Sequence, residues 1–538
     1  MKHYDVLVAG LGTSGTMAAL AAAKRGASVL ALEANTYPGG LQTGGFVNEF
    51  FQQPPVGTAL AYEKILPAAP EYIEAKKRIL EEDLLKYGTE IRYEAVIEKV
   101  LRSGARITGV CFRQGDSLIE ASANTVVDAT ADGALFALAG IPLEGGRPVD
   151  HLYQHSASLF FMKKPDKFAY SGFNMRVKQE YPEMFARESL KGDARFGEEN
   201  LLGRERILVP SERPGIREGG HIRPRRVLSF EDILLKDAVF SDVIAVARAT
   251  VDTNVADAVL ESDLLASWLL LNGKSIYLTI PVPAGVLFPE GYSGIIAAGR
   301  HLGCDHDLGH ALRMNSAMAA IGEVAGIIAA KAAAAEIPPE EVPYSAYSEE
   351  LRLPETRCMK FPETEEEIKE GLLSENPWLA AWSLYRKNDS ALACKLLNGF
   401  PDLPPLILAA GLLKSEPAVE KLKQLICGDT PLPLKKAALF AAGRFFSGEQ
   451  ILFLTDINLP EAELERFWAL LQTVLRGADS ENRIRRHLAK LISDPGWRIL
   501  ERKIIYQPET EDIAGTVKEY FADVIGESLN SDSQIRCS

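Results

Sequence analysis

Short apolar runs alternate with stretches of helical character in the first part of the chain. Residues 4–9 form an apolar, β-prone run that predicts a buried parallel strand. The alanine-rich residues 16–25 predict a helix, and residues 28–32 predict a second strand. This order of elements predicts that the chain opens with a parallel α/β domain.

The pattern then changes. Residues 62–87 predict one or two helices broken at Pro67 and Pro70. Turn-rich residues separate three short predicted strands, which we interpret as a β-meander inserted into the first domain: residues 90–100, 106–112 and 117–121. Residues 125–129 predict a buried strand that returns the chain to the parallel sheet.

The last third of the chain predicts helices only. A proline-rich linker follows Glu336, and short amphipathic segments separated by proline and glycine follow the linker. Six segments are the candidates: residues 391–397, 405–413, 418–426, 434–445, 461–476 and 482–492. They are typical of a helical-repeat module or of an irregular bundle, and no motif in them suggests chemistry. We expect this region to pack on the rest of the protein or to form oligomer contacts.

Length, net charge and cysteine content limit the classes of protein to which this chain can belong. A chain of 538 residues predicts two or three domains. A net charge of −14 argues against nucleic-acid and anionic-membrane partners, and the best apolar run, residues 318–335, is interrupted by Glu323 and Lys331. The six scattered cysteines include no CxxC pair, which predicts reduced thiols and no zinc or iron–sulfur site. A strand that begins within four residues of the N-terminus leaves no room for a signal peptide, so we expect a cytoplasmic protein.

The first predicted strand runs into a glycine-rich turn. Gly10 suits a tight turn, Gly12 lets the backbone approach a pyrophosphate, and Gly15 lets helix and strand pack closely. Thr13 and Ser14 open the helix, whose N-terminal N–H groups favour a phosphate. The sequence therefore predicts a dinucleotide site here.

Glu33 and the residues after it distinguish a flavin-binding domain from a nicotinamide-binding domain. Glu33 ends the second predicted strand, where an acid accepts hydrogen bonds from an adenosine ribose. A second glycine-rich segment follows at once and contains further candidate contacts, Ala34, Gly39, Gly40, Leu41 and Thr43. Residues 5–45 resemble the FAD-dependent oxidoreductase family with the glutathione-reductase-type fold of two dinucleotide-binding domains. This resemblance implies that the cofactor is FAD.

Two further segments extend the resemblance. Residues 128–133 are similar to the family's "DATGDG" segment, with Ala131 in place of its first glycine, which implies that Thr130 and Asp132 lie near FAD. The family also implies adenine contacts from the first meander strand, at Val96 or a neighbour.

The segment of residues 298–335 resembles the family's closing segment, with its "AGR" sequence and its long Ala/Gly-rich helix. The resemblance implies that this helix directs its N-terminus at the flavin pyrimidine edge, where a positive charge stabilises reduced flavin. Gly299, Arg300, Arg313 and Asn315 are the candidate residues for this contact.

Candidate catalytic residues come from two places. His301, His306 and His310 fall within ten residues, at a spacing that fits no standard helical metal pair, so we predict no metal site. A histidine beside a flavin suits proton transfer, and we favour His306 and His310 over His301. Arg217 belongs to a segment that resembles the family's "GIRExRR" motif.

The arginine pair of that motif is missing here, and a dense cationic group follows instead: His221, Arg223, Arg225 and Arg226. This group predicts either a solvated surface or a site for an anionic substrate.

We therefore predict an α/β fold class, with an FAD-binding Rossmann-like domain, a mixed α/β substrate (cap) domain and a C-terminal all-helical domain that is repeat-like or irregular. The predicted boundaries are 1–150 for the FAD-binding domain, 151–281 for the cap, 282–336 for the closing segment of the FAD-binding domain, 337–376 for the linker and 377–538 for the helical domain.

The predicted function is hydride transfer between flavin N5 and a small polar substrate, either anionic or polyhydroxylated. The alternatives are an NAD-linked dehydrogenase and a non-catalytic flavin-binding protein that acts through its helical domain. Gly39, Gly40 and the segment 300–313 argue against the NAD-linked dehydrogenase.

Overall fold

The computed structural model describes residues 1–65, 72–148, 153–154, 156–163, 168–175, 206–253, 261–271, 273, 276–351, 353, 360–431, 434, 437–438 and 441–442. These residues form two compact units. Unit 1 contains the described residues of Met1–Gly146, Leu152–Asn254 and Tyr277–Met359. Unit 2 contains those of Arg147–His151, Val255–Ile276 and Lys360–Ser538.

The strands of the described residues all belong to unit 1. They are β1 (Lys2–Ala9), β2 (Val29–Leu32), β3 (Glu90–Arg92), β4 (Ala95–Ser103), β5 (Arg106–Gln114), β6 (Ser117–Asp128), β7 (Leu143–Glu144), β8 (Ser156–Lys163), β9 (Phe168–Met175), β10 (Arg206–Pro210), β11 (His221–Ile222), β12 (Val243–Ala249), β13 (Leu278–Pro283) and β14 (Ile295–Ala297).

The helices of unit 1 are α1 (Thr13–Ala23), α2 (Gly57–Ile65), α3 (Ile73–Lys86), α4 (Ala134–Leu138), α5 (Phe230–Leu234), α7 (His306–Leu312) and α8 (Asn315–Ala335). Unit 2 contains α6 (Asp263–Leu270), α9 (Glu365–Leu372), α10 (Trp378–Lys387), α11 (Ser390–Gly399), α12 (Pro404–Leu412) and α13 (Ala418–Cys427).

The main sheet has seven strands in the order β3-β2-β1-β6-β5-β4, with β14 paired to the end of β6. β3, β2, β1, β6 and β14 run parallel, while β4, β5 and the start of β6 form an antiparallel meander. The sequence predicted separate strands at 117–121 and 125–129, and this prediction was wrong. One continuous strand, β6, belongs to the meander at its start and to the parallel sheet at its end, so it joins the two parts of the sheet.

The carboxyl ends of β1, β6 and β14 meet at one edge of this sheet. The register pairs Ala9 with Asp128 and Ala297 with Asp128. β1 has β2 as its neighbour on one side and β6 on the other. The chain continues from β1 to β2, and β6 is added later on the opposite side, so the order of the strands reverses at β1. In α/β proteins, ligands bind at such a reversal of strand order.

Helices α1 and α8 pack against each other at very short distance. A Cβ atom on Gly322 would overlap the backbone of Ser14, and one on Gly326 would overlap the backbone of Ala18. The prediction that small residues allow close packing of this helix is therefore confirmed. Among the described residues, α8 is the one helix long and apolar enough to cross a membrane, and most of it is buried in unit 1.

Three smaller antiparallel sheets occupy residues 143–283. β8 lies between β10 and β9, β7 pairs with β11, and β12 pairs with β13. α5 begins with a capping box, in which the side chains of Ser229 and Asp232 each accept a hydrogen bond from the other's backbone N–H.

Unit 2 is helical in its described part. Its core includes Trp268 of α6 and Trp382 of α10, which meet edge to face with ring centroids 4.9 Å apart. α9 forms within the predicted linker, where Thr364 and Glu367 build a capping box. The predicted helices 461–476 and 482–492 lie outside the described residues, and so does most of 434–445.

Candidate functional site

The turn between β1 and α1 has the backbone that the glycine spacing predicts. Gly10 has a φ of +89°, in the left-handed region that favours glycine. A Cβ atom on Gly15 would overlap the carbonyl oxygen of Gly10, whereas one on Gly12 would meet no atom within 4 Å. Helix and strand therefore exclude a side chain at Gly15, while the space beside Gly12 is open.

The second glycine-rich segment packs directly on this turn. The Gly39 N–H donates to the Leu11 carbonyl at 2.7 Å, and a Cβ atom on Gly40 would lie 2.8 Å from Gly12 Cα. The Thr43 hydroxyl donates within its own loop, to the Pro38 carbonyl at 2.9 Å. The two glycine-rich segments thus form one cradle.

Glu33 is buried below the cradle and fixes it from the end of β2. Its Oε2 accepts from the Leu11 N–H at 2.8 Å. Its Oε1 accepts from the backbone and side chain of Asn35, at 2.9 and 2.7 Å, and from Arg213 Nη2 at 3.0 Å. No local sequence pattern marks Arg213, which contacts Glu33 from 180 residues away. Ala34, the next residue, is exposed.

The loop after β6 supplies the next wall. Asp128 is fully buried, and its Oδ1 accepts from the N–H and hydroxyl of Thr130, at 2.9 and 2.6 Å. Ala131 has a φ of +77°, a conformation that glycine adopts without strain and alanine does not. Ala131 replaces a glycine of the family's "DATGDG" segment, so the loop keeps a left-handed conformation in which the Cβ atom of Ala131 causes backbone strain.

Gly299, at the end of β14, closes this wall. A Cβ atom there would lie 3.2 Å from Ala131 Cα and 2.9 Å from the His301 ring. His301 is fully buried, with Nε2 3.8 Å from Asp128 Oδ1. Burial lowers the pKa of His301, and Asp128 opposes this effect only in part. Burial therefore favours the neutral form of the His301 imidazole.

A buried carboxylate and two imidazoles lie next to this wall. His306 Nδ1 is 2.7 Å from Glu218 Oε1, and His221 Nε2 is 3.7 Å from the same oxygen. Burial alone would raise the pKa of Glu218, but the charges of His306 and His221 and the hydrogen bond from His306 hold it well below its ordinary value. His310 packs edge to face on His306, with ring centroids 5.2 Å apart. We call Glu218, His221 and His306 the buried triad.

On the side of its Nδ1 atom, His221 lies next to the Leu302 carbonyl and the buried Cys304 thiol. Its Nδ1 lies 3.0 Å from the Leu302 carbonyl oxygen and 3.5 Å from Cys304 Sγ. Burial opposes a charge on His221, yet Cys304 and Glu218 raise its pKa well above the ordinary value. The sequence analysis grouped His221 with the arginines that follow it and treated Cys304 as a scattered thiol.

Those arginines have a different environment. Arg223, Arg225 and Arg226 are exposed. Arg223 pairs with Glu290 at 3.0 Å and Arg225 with Glu340 at 3.6 Å. For these three residues the solvated-surface interpretation is correct.

Three other guanidinium groups line a narrow pocket with Glu218, His221 and Cys304; they are those of Arg217, Arg300 and Arg313. Arg313 is paired, since its Nη2 lies 2.6 Å from Asp252 Oδ2 and its Nε donates to Gln154 Oε1 at 3.2 Å. Burial lowers the pKa of Arg300. Asp252 and Gln154 are site residues that sequence reasoning missed, because no local pattern marks them.

Three predicted cofactor residues, Asn315, Val96 and Asp132, do not line this pocket. Asn315 opens α8, and its Nδ2 donates to the carbonyls of Val47 and Glu49, at 3.0 and 3.2 Å. Val96 lies on β4 with its side chain exposed, next to Ala95, whose N–H donates to the Glu33 carbonyl at 3.0 Å. Asp132 is exposed, and its Cα would lie 3.2 Å from a Cβ on Gly219.

The cradle leaves open space beside Gly12. Two buried polar atoms of the cradle and α1 have no hydrogen-bond partner among the described residues, Ser14 Oγ and Gln42 Nε2. The same is true of Arg300 Nε after β14 and of Ser316 Oγ on α8. The open space at Gly12 faces the N-terminus of α1, which favours an anion. Buried donors normally have partners, so this distribution points to a ligand along the cradle.

A family model described as FAD dependent oxidoreductase matches residues 5–200 and 205–351. The chain belongs to this family. It is therefore an oxidoreductase whose cofactor is FAD. The residues that would hold the pyrophosphate of FAD are those of the glycine-rich turn and the start of α1: Gly10, Gly12, Thr13, Ser14 and Gly15.

The solved structures that match this FAD-dependent oxidoreductase share little sequence with it. The flavin-dependent brominase Bmp2 is 12% identical, covering 78% of this chain and 94% of that chain at a TM-score of 0.36. A geranylgeranyl bacteriochlorophyll reductase-like protein from Thermoplasma acidophilum is 14% identical, covering 79% and 100% at 0.34. THI4 from Thermovibrio ammonificans is 22% identical, covering 27% and 67% at 0.22. No curated protein matches the chain.

Proposed function

We propose that this oxidoreductase transfers a hydride between a small anionic substrate and flavin N5, and that the buried triad handles the accompanying proton. The observation that carries this proposal is the pocket itself, in which Glu218 and His221 lie beside the guanidinium groups of Arg217, Arg300 and Arg313. Bound FAD would supply the two-electron acceptor or donor.

The arginines are the side chains that would hold a carboxylate in the proposed reaction. A guanidinium binds a carboxylate through two parallel hydrogen bonds, which also fixes the orientation of the substrate. Arg313 is already held by Asp252 and Gln154, so Arg300 is the better candidate for the substrate contact. Its buried Nε has no hydrogen-bond partner among the described residues.

The buried triad can take or give a proton. Oxidation of an alcohol to a carbonyl releases a hydride and a proton, and the proton needs an acceptor close to the substrate. Glu218 and His221 face the pocket, and His306 binds Glu218 from behind. A proton that arrives at this group is shared between a carboxylate and two imidazoles and does not leave an isolated charge in a buried site.

The proposal is tested by anaerobic reduction of the FAD-loaded protein. We expect small hydroxy acids to bleach the flavin faster than neutral polyols of the same length. Glu218→Gln should slow bleaching by about a hundredfold with FAD still bound, whereas Arg223→Gln, at an exposed arginine outside the pocket, should leave it unchanged. Equal bleaching by acids and polyols, or an unaffected Glu218→Gln variant, would contradict the proposal.

The cytoplasmic location, the absence of nucleic-acid and membrane partners and oligomer contacts through the helical region stay predictions.

A further inference from the structure

Arg213 reaches the end of β2 from a distant part of the chain. Its Nη2 donates to Glu33 Oε1 at 3.0 Å, and this carboxylate is buried while 35% of the Arg213 side chain is exposed. The other N–H groups of the guanidinium form no hydrogen bond to the described residues. A guanidinium has five N–H donors, so Arg213 offers several to a ligand that reaches Glu33.

The loop after β10 fixes this arginine on the cradle. The N–H groups of Glu212 and Arg213 both donate to the Gly44 carbonyl, at 2.9 and 3.3 Å. The Glu212 carboxylate accepts from the Tyr37 hydroxyl, and Lys77 Nζ lies 4.0 Å from this carboxylate and 3.9 Å from the centroid of the Tyr37 ring. The backbone of Arg213 is therefore held on the second glycine-rich segment by contacts that do not involve its own side chain.

Glu33 can still accept a hydrogen bond on one of its oxygens. Oε1 accepts from the backbone N–H of Asn35, from the Asn35 side chain and from Arg213. Oε2 accepts only from the Leu11 N–H among the described residues. A carboxylate oxygen has two lone pairs, so Oε2 has room for one further donor.

A hydroxyl is the ligand group that matches this pair. It donates one hydrogen bond and accepts others, and Glu33 and Arg213 present an acceptor and donors side by side. An acid at the end of the second strand of a dinucleotide-binding domain accepts a hydrogen bond from the adenosine ribose. The adenosine ribose of FAD carries free 2′- and 3′-hydroxyls and no phosphate at either position, so a hydroxyl is what the arginine would meet there.

We propose that Arg213 is a cofactor-binding residue, whose guanidinium donates to a hydroxyl of the adenosine ribose of FAD while Glu33 accepts from the same hydroxyl. Arg213 belongs to the region 151–281 that the sequence assigns to the cap. The cap region therefore contributes a residue to the cofactor site. This contact is independent of the substrate and of the proposed hydride transfer, so either proposal can fail without the other.

Calorimetric titration of the full chain, stripped of FAD, tests this contact without turnover. The probes are FAD and its two analogues that lack the 2′- or the 3′-hydroxyl of the adenosine ribose. A hydrogen bond to a charged group contributes about tenfold or more to affinity, so the wild type should prefer FAD over one of the analogues by about a hundredfold. In Arg213→Ala this preference should fall to about tenfold, because only the contact with Glu33 remains.

The ratio of the two affinities separates a direct contact from a structural role. A purely structural arginine would weaken the binding of FAD and of both analogues equally, so a wild-type ratio in Arg213→Ala would overturn the proposal. Arg213→Met keeps the aliphatic stem but has no N–H donor in its side chain, and it should give the same lowered ratio even if the alanine variant folds poorly. Arg223→Ala, at an exposed arginine that pairs with Glu290, is the control and should keep the wild-type ratio.

Discussion

His306 Nδ1 lies 2.7 Å from Oε1 of Glu218, and both side chains are buried. The two residues are 88 positions apart, and the contact connects the start of α7 with the segment before β11. Since Glu218 also lies 3.7 Å from His221, one carboxylate balances two imidazoles. The stability of this region therefore depends on protonation.

The pH dependence of stability should reveal His221. Its pKa in the folded protein is raised well above the ordinary 6.5, although burial opposes the charge, because Cys304 and Glu218 favour the imidazolium. A raised pKa gives stability that is complete below pH 6.5 and is lost as the pH rises through the folded pKa. We expect the free energy of unfolding of the wild type to fall, relative to His221→Asn, as the pH rises above 6.5 and through the folded pKa in denaturant titrations.

His3→Asn is the control for that titration, since His3 is an exposed histidine on β1 that bonds to Ser122 and Asn124. Its curve should run parallel to that of the wild type. A His221→Asn curve that also runs parallel to the wild type would show that the His221 charge contributes no stability.

Gly12 and Gly15 should respond differently to substitution. Gly12→Val should abolish FAD binding and leave the stability of the apoprotein nearly unchanged, because a Cβ at Gly12 meets only open space. Gly15→Ala should destabilise the apoprotein itself by about 1–3 kcal/mol, because its Cβ overlaps the Gly10 carbonyl. FAD content and denaturant unfolding of each variant check both outcomes. A Gly12→Val protein that retains tightly bound FAD would remove this turn from the cofactor site.

The cradle could be predicted from sequence because backbone conformation selects glycine locally. The turn with a φ of +89° at Gly10 and the close packing of the helix on its own strand at Gly15 each require a glycine, which can be recognised in the sequence. The same holds for Gly322 and Gly326 in α8, where two helix backbones touch.

The pocket could be predicted only in part. Arg217, His306, His310 and Arg313 were candidates through motifs, but their partners leave no local pattern. Side chains from distant segments balance two of these charges, since Glu218 pairs with His306 and Asp252 with Arg313. The burial of His221 could not be predicted from the sequence, because the arginines that follow it closely are exposed. Residues that are close in sequence and similar in charge can therefore differ completely in burial.

Ala131→Gly should stabilise the protein. Ala131 adopts a φ of +77°, where a Cβ costs about 1–2 kcal/mol, so its removal should recover about 1 kcal/mol. Ala137→Gly is the matched control, since it makes the same change at an exposed position in the α4 helix and should cost about 1 kcal/mol. Denaturant unfolding should therefore shift in opposite directions. If both variants are destabilised, the strain assigned to Ala131 is wrong.

Arg313 and Asp252 should change the flavin reduction potential in opposite directions. Their side chains form a partly buried ion pair at 2.6 Å, directly before the N-terminus of α8. A positive charge near the flavin favours its anionic reduced form, and Asp252 offsets the charge of Arg313. Arg313→Ala should therefore lower the potential and Asp252→Asn should raise it, each by roughly 30 mV for a tenfold change in the two-electron equilibrium.

Potentiometry on the two variants, with FAD bound in both, distinguishes tuning of the flavin from a structural role. A purely structural ion pair would give two destabilised proteins with the wild-type potential, since either substitution leaves one charge of the pair without its partner. Arg313→Lys keeps the positive charge but loses the contact of the guanidinium with Gln154. Arg313→Lys should therefore have a reduction potential close to that of the wild type and a lower stability. A reduction potential as low as that of Arg313→Ala would mean that the geometry of the guanidinium matters more than its charge.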